Sequence, residues 1–228
     1  TQVFRRLALQ AGHAIMEIYS NDNIAIETKS DASPITNADK IADTIIYQGL
    51  KEAFPGVDVV TEEKSESHSL KTNNFILVDP MDGTKEFINK TGEFTVNIAY
   101  IQNGSPTHGV VYAPAIKRLF STDHNSKSYE IVKSSAKTGQ IINKPLRVSA
   151  PDASALTVVA SKSHINIETK EYIAKYPVSN SKNAGSSLKF CLIANGEADF
   201  YPRLGRTMEW DTAAGHAILL GAGGYVTN

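Results

Sequence analysis

The chain has 228 residues, of which 41% are hydrophobic and 21% are charged, as is typical of a globular protein with a sizeable core. Its 23 basic and 24 acidic residues give a net charge of −1, so no overall positive field attracts nucleic acid. The single cysteine, Cys191, excludes an internal disulfide framework and a cysteine-rich zinc site. Because no apolar run reaches the ~18 to 20 residues of a membrane span and residues 1–19 lack a signal-peptide pattern, we expect a cytoplasmic protein.

Two helices are predicted at the start of the chain. Apolar residues at helical spacing predict an amphipathic helix over residues 3–18. A second helix follows a Ser-Pro turn, with Thr36 as its N-cap and Asp39 at the third helical position of a capping box. From Val57 onward the sequence predicts a largely antiparallel sheet. Its predicted strands are VDVVT, FILVD, FTVNIAYI, THGVVYA, RLFST and SYEIV.

Strands and helices alternate in the second half, which predicts a layered α/β arrangement. The predicted strands are residues 157–161, 198–202 and 224–228, and the predicted helices are residues 165–176, 186–195 and 211–222. We expect a soft boundary between residues 120 and 150. This divides one compact unit into an α+β half with the metal site, residues 1–130, and an α/β half with the nucleotide contacts, residues 131–228.

The most informative motif is DPMDGT. An apolar strand ends at Asp79, and Asp82 follows three residues later, so two carboxylates converge at a strand-to-helix turn. Asp, Pro and Gly also form ordinary polar turns. Thr84 favours a site, because it offers a hydroxyl and opens a helix whose backbone N–H groups form a natural phosphate cradle.

Further carboxylates follow other predicted elements. Glu62 and Glu63 come directly after a β-rich run, and Asp211 begins a helix of small residues. Taken alone, the glutamates fit a solvated loop and Asp211 fits an ordinary N-cap. Converging on the DPMDGT turn, they fit the oxygen ligands of Mg²⁺ and therefore metal-assisted hydrolysis of a phosphate monoester.

Four motifs resemble those of the Mg²⁺-dependent, lithium-sensitive inositol monophosphatase superfamily. They are TNAD ending at Asp39, TEE ending at Glu63, DPMDGT, and WDTAAG from Trp210 to Gly215. DGTKEFI, GEFTVNIA, GVVYAP and GSSLKFCL are similar to its bisphosphate nucleotidase branch rather than to its inositol phosphatase branch. The resemblance covers nearly the whole chain. It implies a mixed α/β (α+β) fold, a layered α-β-α-β-α sandwich of the inositol monophosphatase or sugar-phosphatase type.

The resemblance also implies the ligands of two or three Mg²⁺ ions. Glu62, Asp79 and the backbone carbonyl of Met81 match the ligands of one ion. Asp79, Asp82 and Asp211 match those of a second ion, and a third would be held mainly by water and Glu62.

The catalytic and substrate-binding residues are implied in the same way. Thr84 and Asp39 match the pair that activates water, with Glu62 beside them, and the backbone from Asp82 to Thr84 matches the phosphate cradle. Lys189 and Arg203 would supply positive charge near the retained 5′-phosphate. The residues implied at the substrate are Glu62, Met81, Asp82, Gly83, Thr84, His164, Ser186, Lys189, Arg203 and Asp211.

The expected activity is hydrolysis of the 3′-phosphate of adenosine 3′,5′-bisphosphate to AMP and phosphate, with possible action on its sulfated relative and inhibition by Li⁺. The partner would be a small-molecule nucleotide, not nucleic acid. An inositol monophosphatase, a broad sugar phosphatase and a non-catalytic sensor of nucleotide or metal are the alternatives. Peripheral membrane association and oligomeric state stay open. Because members of the superfamily usually continue with a further strand after GYVTN, we expect a missing terminal segment.

Overall fold

Six helices and eleven strands build the fold, as seen in a computed structural model that describes residues 1–21, 24–29, 33–70, 72–133, 141–161 and 165–227. The helices are α1 (Gln2–Ser20), α2 (Asn37–Ala53), α3 (Thr84–Ile88), α4 (Ile167–Ile173), α5 (Leu188–Ala194) and α6 (Glu209–Gly221). The strands are β1 (Ile26–Thr28), β2 (Pro34–Thr36), β3 (Asp58–Thr61), β4 (Asn74–Asp82), β5 (Thr95–Gln102), β6 (Ser105–Ala113), β7 (Arg118–Thr122), β8 (Ser128–Lys133), β9 (Ile141–Pro145), β10 (Leu156–Ala160) and β11 (Val178–Asn183). A 3₁₀ turn, Ser65–Ser69, follows β3.

A seven-stranded sheet forms the centre, with the strands in the order β3 to β9. Only β3 and β4 pair in parallel, and the other neighbours pair antiparallel. The prediction of a largely antiparallel sheet is therefore confirmed. Strand β4 lies inside this sheet and carries Asp79, Met81 and Asp82 of the predicted site.

Helices α1 and α2 cover one face of the sheet. Their apolar stripes bury Leu7, Ile15 and Ile46 completely or almost so, as expected of amphipathic helices on a sheet. The predicted capping box of α2 is present, since the backbone N–H of Thr36 donates to Asp39 Oδ2 over 2.7 Å and Thr36 Oγ1 accepts from the N–H of Ala38 over 3.1 Å.

Helices α5 and α6 cover the other face. They pack closely, because a Cβ at Gly215 of α6 would lie 2.7 Å from the ring of Phe190 on α5. Cys191 is a buried free thiol in this core, where burial raises its pKa and the side chain packs as a small apolar residue.

A small parallel sheet follows the second helical layer. Strand β10 packs against α5, and α4 connects β10 to its parallel neighbour β11. Helical and sheet layers thus alternate, and the predicted fold class is confirmed.

Several predicted elements differ from the structure. The predicted strand 198–202 is reduced to a single bridge between Phe200 and Val158, because Pro202 has no N–H for a ladder. The predicted strand 224–228 is wrong over 224–227, where none of the described residues pairs with it; Asn228 lies outside the described residues. Helix α4 is shorter than predicted. Strands β9 and β11 were missed, because both are largely exposed edge strands without alternating burial.

In the part of the chain that the structure describes, no helix combines the length and the apolar character needed to cross a membrane.

Candidate active site

The site is built around an irregular end of β4. Asp79 pairs with Asn97 of β5, but the next paired residue on β4 is Asp82, which faces Thr95. Over this interval β4 advances three residues while β5 advances only two. Strand β4 therefore carries one extra residue, a β-bulge, in the segment that contains Pro80. The N–H of Met81 donates to Asp79 Oδ1 over 3.0 Å, which holds this carboxylate in the bend.

Gly83 completes the turn into α3. Its φ of +96° lies in the left-handed region that favours glycine. A Cβ at this position would lie 2.3 Å from Ser186 Oγ, which itself donates to the carbonyl of Asp82 over 2.8 Å. The close approach of the Ser186 loop therefore requires a residue without a side chain. Thr84 begins the helix, as predicted from the motif.

Three carboxylates meet at this turn. Single oxygens of Asp79, Asp82 and Asp211 all lie within 4.8 Å of one another. Burial, followed by repulsion from Glu62 and the other carboxylates, raises the pKa of Asp79 well above its usual value. Burial, with repulsion from Asp211, raises the pKa of Asp82 to about 7. Such a cluster favours the binding of cations, and its hard oxygen donors fit Mg²⁺.

Asp211 reaches the cluster from the first turn of α6. Its Oδ2 accepts hydrogen bonds from the N–H of Met208 over 3.0 Å and from the hydroxyl of Thr207 over 2.9 Å. The interpretation as a helix cap and the interpretation as a metal ligand are therefore compatible. The neighbouring Trp210 packs its ring 4.8 Å from that of His68, which ties the 3₁₀ turn to the start of α6.

Glu62 lines the same cavity and forms an ion pair with Lys29. Lys29 Nζ lies 2.8 Å from Oε1 of Glu62 and 2.7 Å from Oε1 of Glu63. Burial, opposed by Lys29, raises the pKa of Glu63 to about 7. Lys29 was missed in the sequence, because it is 33 residues from Glu62 and belongs to none of the motifs.

The predicted pair Thr84 and Asp39 is brought together. Thr84 Oγ1 donates to Asp39 Oδ1 over 3.1 Å, although the residues are 45 positions apart. Oδ2 of Asp39 accepts from the N–H and the hydroxyl of Thr36, over 2.7 and 2.6 Å. Burial raises the pKa of Asp39, and these hydrogen bonds oppose the rise. The arrangement leaves Thr84 Oγ1 able to accept a proton from a water molecule.

The cavity in front of these groups has a volume of about 400 Å³. It brings together all the predicted carboxylates of the metal site with Met81, Gly83, Thr84 and three of the four predicted nucleotide contacts, Ser186, Lys189 and Arg203. The fourth predicted contact, His164, lies outside the described residues. Cavity residues that the sequence analysis did not single out are Ser33, Pro34, Lys85, Glu86, Phe190, Tyr201, Arg206, Thr207, Met208 and Thr212.

Lys189 is a buried cation, not a solvated one. Its side chain is 2% exposed and donates to the carbonyls of Ser186 and Ala184 over 2.7 and 3.4 Å. Its Nζ also lies 5.1 Å from the centre of the Tyr201 ring. Burial lowers the pKa of Lys189 to about 8, while Asp82 opposes this change. The ammonium group of Lys189 therefore places a buried positive charge close to Asp82 of the acidic cluster.

Arg203 also lines the cavity and contacts the same Tyr201 as Lys189. It donates through Nη2 to the carbonyl of Arg206 over 2.8 Å and through Nη1 to the Tyr201 hydroxyl over 3.4 Å. Its Nε is buried and has no partner among the described residues. Tyr201, two residues before Arg203, was not singled out in the sequence.

Comparison with known proteins agrees with this geometry. The sequence profile of the inositol monophosphatase family matches residues 1–228. The chain is 43% identical over 224 residues to the 3′(2′),5′-bisphosphate nucleotidase CysQ of Escherichia coli strain K12, covering 97% of this chain and 87% of that protein. It is also 43% identical to CysQ of Buchnera aphidicola from Acyrthosiphon pisum, covering 97% and 81%.

Two solved structures share the fold. CysQ of Bacteroides thetaiotaomicron, described as a bacterial member of the inositol monophosphatase family, superposes with a TM-score of 0.79 at 37% identity, covering 97% of this chain and 86% of that chain. The extragenic suppressor protein suhB of Bartonella henselae superposes with a TM-score of 0.80 at 25% identity, covering 99% and 86%.

Proposed function

Because the chain belongs to the inositol monophosphatase family, we propose that its cavity is the active site of an Mg²⁺-dependent phosphatase that hydrolyses the 3′-phosphate of adenosine 3′,5′-bisphosphate to AMP and phosphate. The carboxylate cluster of Asp79, Asp82 and Asp211 carries the proposal of metal-dependent hydrolysis. The choice of a nucleotide substrate follows the names of the relatives at 43% identity and the basic residues in the cavity.

Two or three ions fit the donor set. Asp79, Asp82 and Asp211 would hold one ion, and Glu62, Asp79 and the carbonyl of Met81 would hold another. Water molecules would supply the remaining ligands. A third ion would bind to Glu62 in place of Lys29. Bound Mg²⁺ would neutralise phosphoryl charge and lower the pKa of water.

Thr84 and Asp39 would move the proton of the attacking water. The hydroxyl of Thr84 already donates to Asp39 Oδ1, so its oxygen accepts the water proton as its own proton passes to the carboxylate. The raised pKa of Asp39 makes it a better acceptor. Thr36 fixes the other oxygen of Asp39 and keeps the carboxylate directed at Thr84.

The remaining predicted residues would bind the substrate. The backbone at Asp82, Gly83 and Thr84 would cradle the 3′-phosphate. Lys189 and Arg203, together with Ser186 and His164, would contact the ribose and the 5′-phosphate. The sulfated relative of the substrate fits the same contacts, and Li⁺ would compete at a metal position. We place the enzyme in the cytoplasm, in agreement with its buried free Cys191.

The decisive experiment compares three substrates at saturating Mg²⁺: adenosine 3′,5′-bisphosphate, inositol 1-phosphate and fructose 1,6-bisphosphate. We expect the highest kcat/KM for the nucleotide and loss of phosphate release in EDTA. A preference for inositol 1-phosphate would overturn the proposed specificity. Tight nucleotide binding in Mg²⁺ without any phosphate release would instead identify a sensor.

A further inference from the structure

Asn97 is a buried amide beside the acidic cluster. It lies in β5, is 1% exposed, and neither Nδ2 nor Oδ1 has a hydrogen-bond partner among the described residues. Such a group is costly to bury, because folding removes it from water without replacing the lost hydrogen bonds. An apolar residue of the same size would pack at this position without that cost, so the amide needs an explanation.

The alternation of β5 shows which way Asn97 faces. Val96 and Ile98 belong to the core beneath α1 and α2, whereas Ala99 belongs to the core beneath α5 and α6. Side chains alternate between the faces of a strand, so Asn97 and Thr95 share the face of Ala99. Thr95 lies on this face with its Oγ1 3.3 Å from Ser187 Oγ.

The register places Asn97 directly opposite Asp79. The two residues are paired across β4 and β5, and opposite residues of an antiparallel pair extend to the same face with Cβ atoms ~4.5 to 5.5 Å apart. Among the described residues, the only hydrogen bond to the Asp79 side chain comes from the N–H of Met81. The buried carboxylate of Asp79 accepts one hydrogen bond, and the neighbouring buried amide of Asn97 has no hydrogen-bond partner among the described residues.

We propose that Asn97 is a positioning residue for Asp79, and that its Nδ2 donates to the Asp79 carboxylate when cations occupy the acidic cluster. The proposal rests on the proposed metal site, and it concerns orientation of a ligand rather than contact with substrate. Residues that orient metal ligands commonly change metal affinity ~10- to 100-fold when they are replaced.

The test measures Mg²⁺ binding directly. Trp210, the only tryptophan, lines the cavity beside Asp211, so its fluorescence can follow an Mg²⁺ titration without any substrate. We expect Asn97→Leu to weaken Mg²⁺ binding about tenfold, equal to about 1.4 kcal/mol, while the Tm in EDTA stays equal to or above that of the wild type. Asn97→Ala provides the same comparison if the leucine variant does not fold.

A matched control is Ile98→Val, which removes one methylene group from the opposite face of the same strand. It should lower the Tm slightly and leave Mg²⁺ binding unchanged. Unchanged Mg²⁺ affinity in Asn97→Leu, or an equal loss in Ile98→Val, would overturn the role of Asn97. Absence of Mg²⁺ binding to the wild-type protein would overturn the proposed function itself, so the two failures are distinguishable.

Discussion

The ammonium nitrogen of Lys29 lies 2.8 Å from Oε1 of Glu62, so an internal cation pairs with a carboxylate that the proposed function assigns to Mg²⁺. The same nitrogen contacts Glu63, and both bonds are partly shielded from solvent. Two cations compete for one carboxylate in such an arrangement, and the binding of either weakens the binding of the other.

Replacing Lys29 tests this competition. Lys29→Met keeps the length of the side chain but removes its charge. We expect Mg²⁺ to bind roughly two- to fivefold more tightly, since a partly exposed ion pair contributes less than about 1 kcal/mol. Isothermal titration calorimetry would measure the change. Lys40→Met, which removes a similar pair with the exposed Glu27, is the control and should have no effect. Weaker Mg²⁺ binding in Lys29→Met would contradict the competition.

Removal of the Thr84 hydroxyl tests the proposed proton path. We expect Thr84→Ala to lower kcat ~10²- to 10⁴-fold with little change in KM, because general-base catalysis contributes about that factor. Thr84→Ser, which keeps the hydroxyl, should stay within about tenfold of the wild type. Steady-state kinetics on adenosine 3′,5′-bisphosphate would measure both, with Thr44→Ala as a control at an exposed threonine. An alanine variant as fast as the wild type would remove Thr84 from the mechanism.

Replacing Arg203 tests the proposed contact of its guanidinium group with the 5′-phosphate. A charge-assisted hydrogen bond is worth about 1.5 to 3 kcal/mol, so Arg203→Met should raise KM for adenosine 3′,5′-bisphosphate about 10- to 100-fold. The effect on adenosine 3′-phosphate, which lacks the 5′-phosphate, should be much smaller. Arg206→Met changes a more exposed arginine of the same cavity and serves as the control. Equal losses on both substrates would show that Arg203 supports the wall of the cavity and does not bind the 5′-phosphate.

The stability of the metal-free protein should depend on pH. Asp82 and Glu63 both have a pKa of about 7 in the folded protein, raised from 3.8 and 4.5. At a pH between the ordinary pKa of each group and its pKa in the folded protein, the folded chain holds protons that the unfolded chain has released. The free energy of unfolding therefore decreases as pH rises from about 4 to about 7. Thermal unfolding in EDTA at pH 5 and pH 7.5 would show a higher Tm at pH 5.

Asp82→Asn removes one of these two titrating groups. This variant should have a flatter pH dependence in EDTA and a higher Tm at pH 7.5 than the wild type, because it removes a buried charge from the cluster. It should also bind Mg²⁺ weakly and lose turnover by on the order of 10²- to 10³-fold. Near-normal activity would exclude Asp82 from the site. Because the charge of Asp82 is one of those that raise the pKa of Asp79, the variant also lowers the pKa of Asp79, and the flatter pH dependence reports both groups.

Much of the fold could be predicted because its signals are local. The capping box of α2 and the apolar run before Asp79 each depend on neighbouring residues, and the structure contains both. Strand β11 carries no such signal, since its residues are polar and its pairing with β10 is set by tertiary contacts. The terminal residues 224–227 have a strand-like composition, but a strand also requires a partner.

The same distinction separates the parts of the site. The motif residues Asp79, Asp82 and Thr84 lie close in sequence, and their convergence was predictable from the turn that contains them. Lys29 was not, because its contacts with Glu62 and Glu63 join segments more than thirty residues apart that only the tertiary fold brings together. Burial of Lys189 is likewise a tertiary property, since a single lysine in a short helix has no sequence signal for it.

The two serines before α5 join the acidic cluster to the part of the cavity proposed to bind the nucleotide. Ser186 holds the carbonyl of Asp82, and Ser187 holds its carboxylate through the backbone N–H and the hydroxyl, over 2.7 and 3.2 Å. Under the proposed function, a shift of this loop on nucleotide binding is transmitted to Asp82 through these hydrogen bonds, and a shift of Asp82 is transmitted to the loop. Under the proposed function, thermodynamic reciprocity requires that the factor by which the nucleotide changes the affinity for Mg²⁺ equals the factor by which Mg²⁺ changes the affinity for the nucleotide.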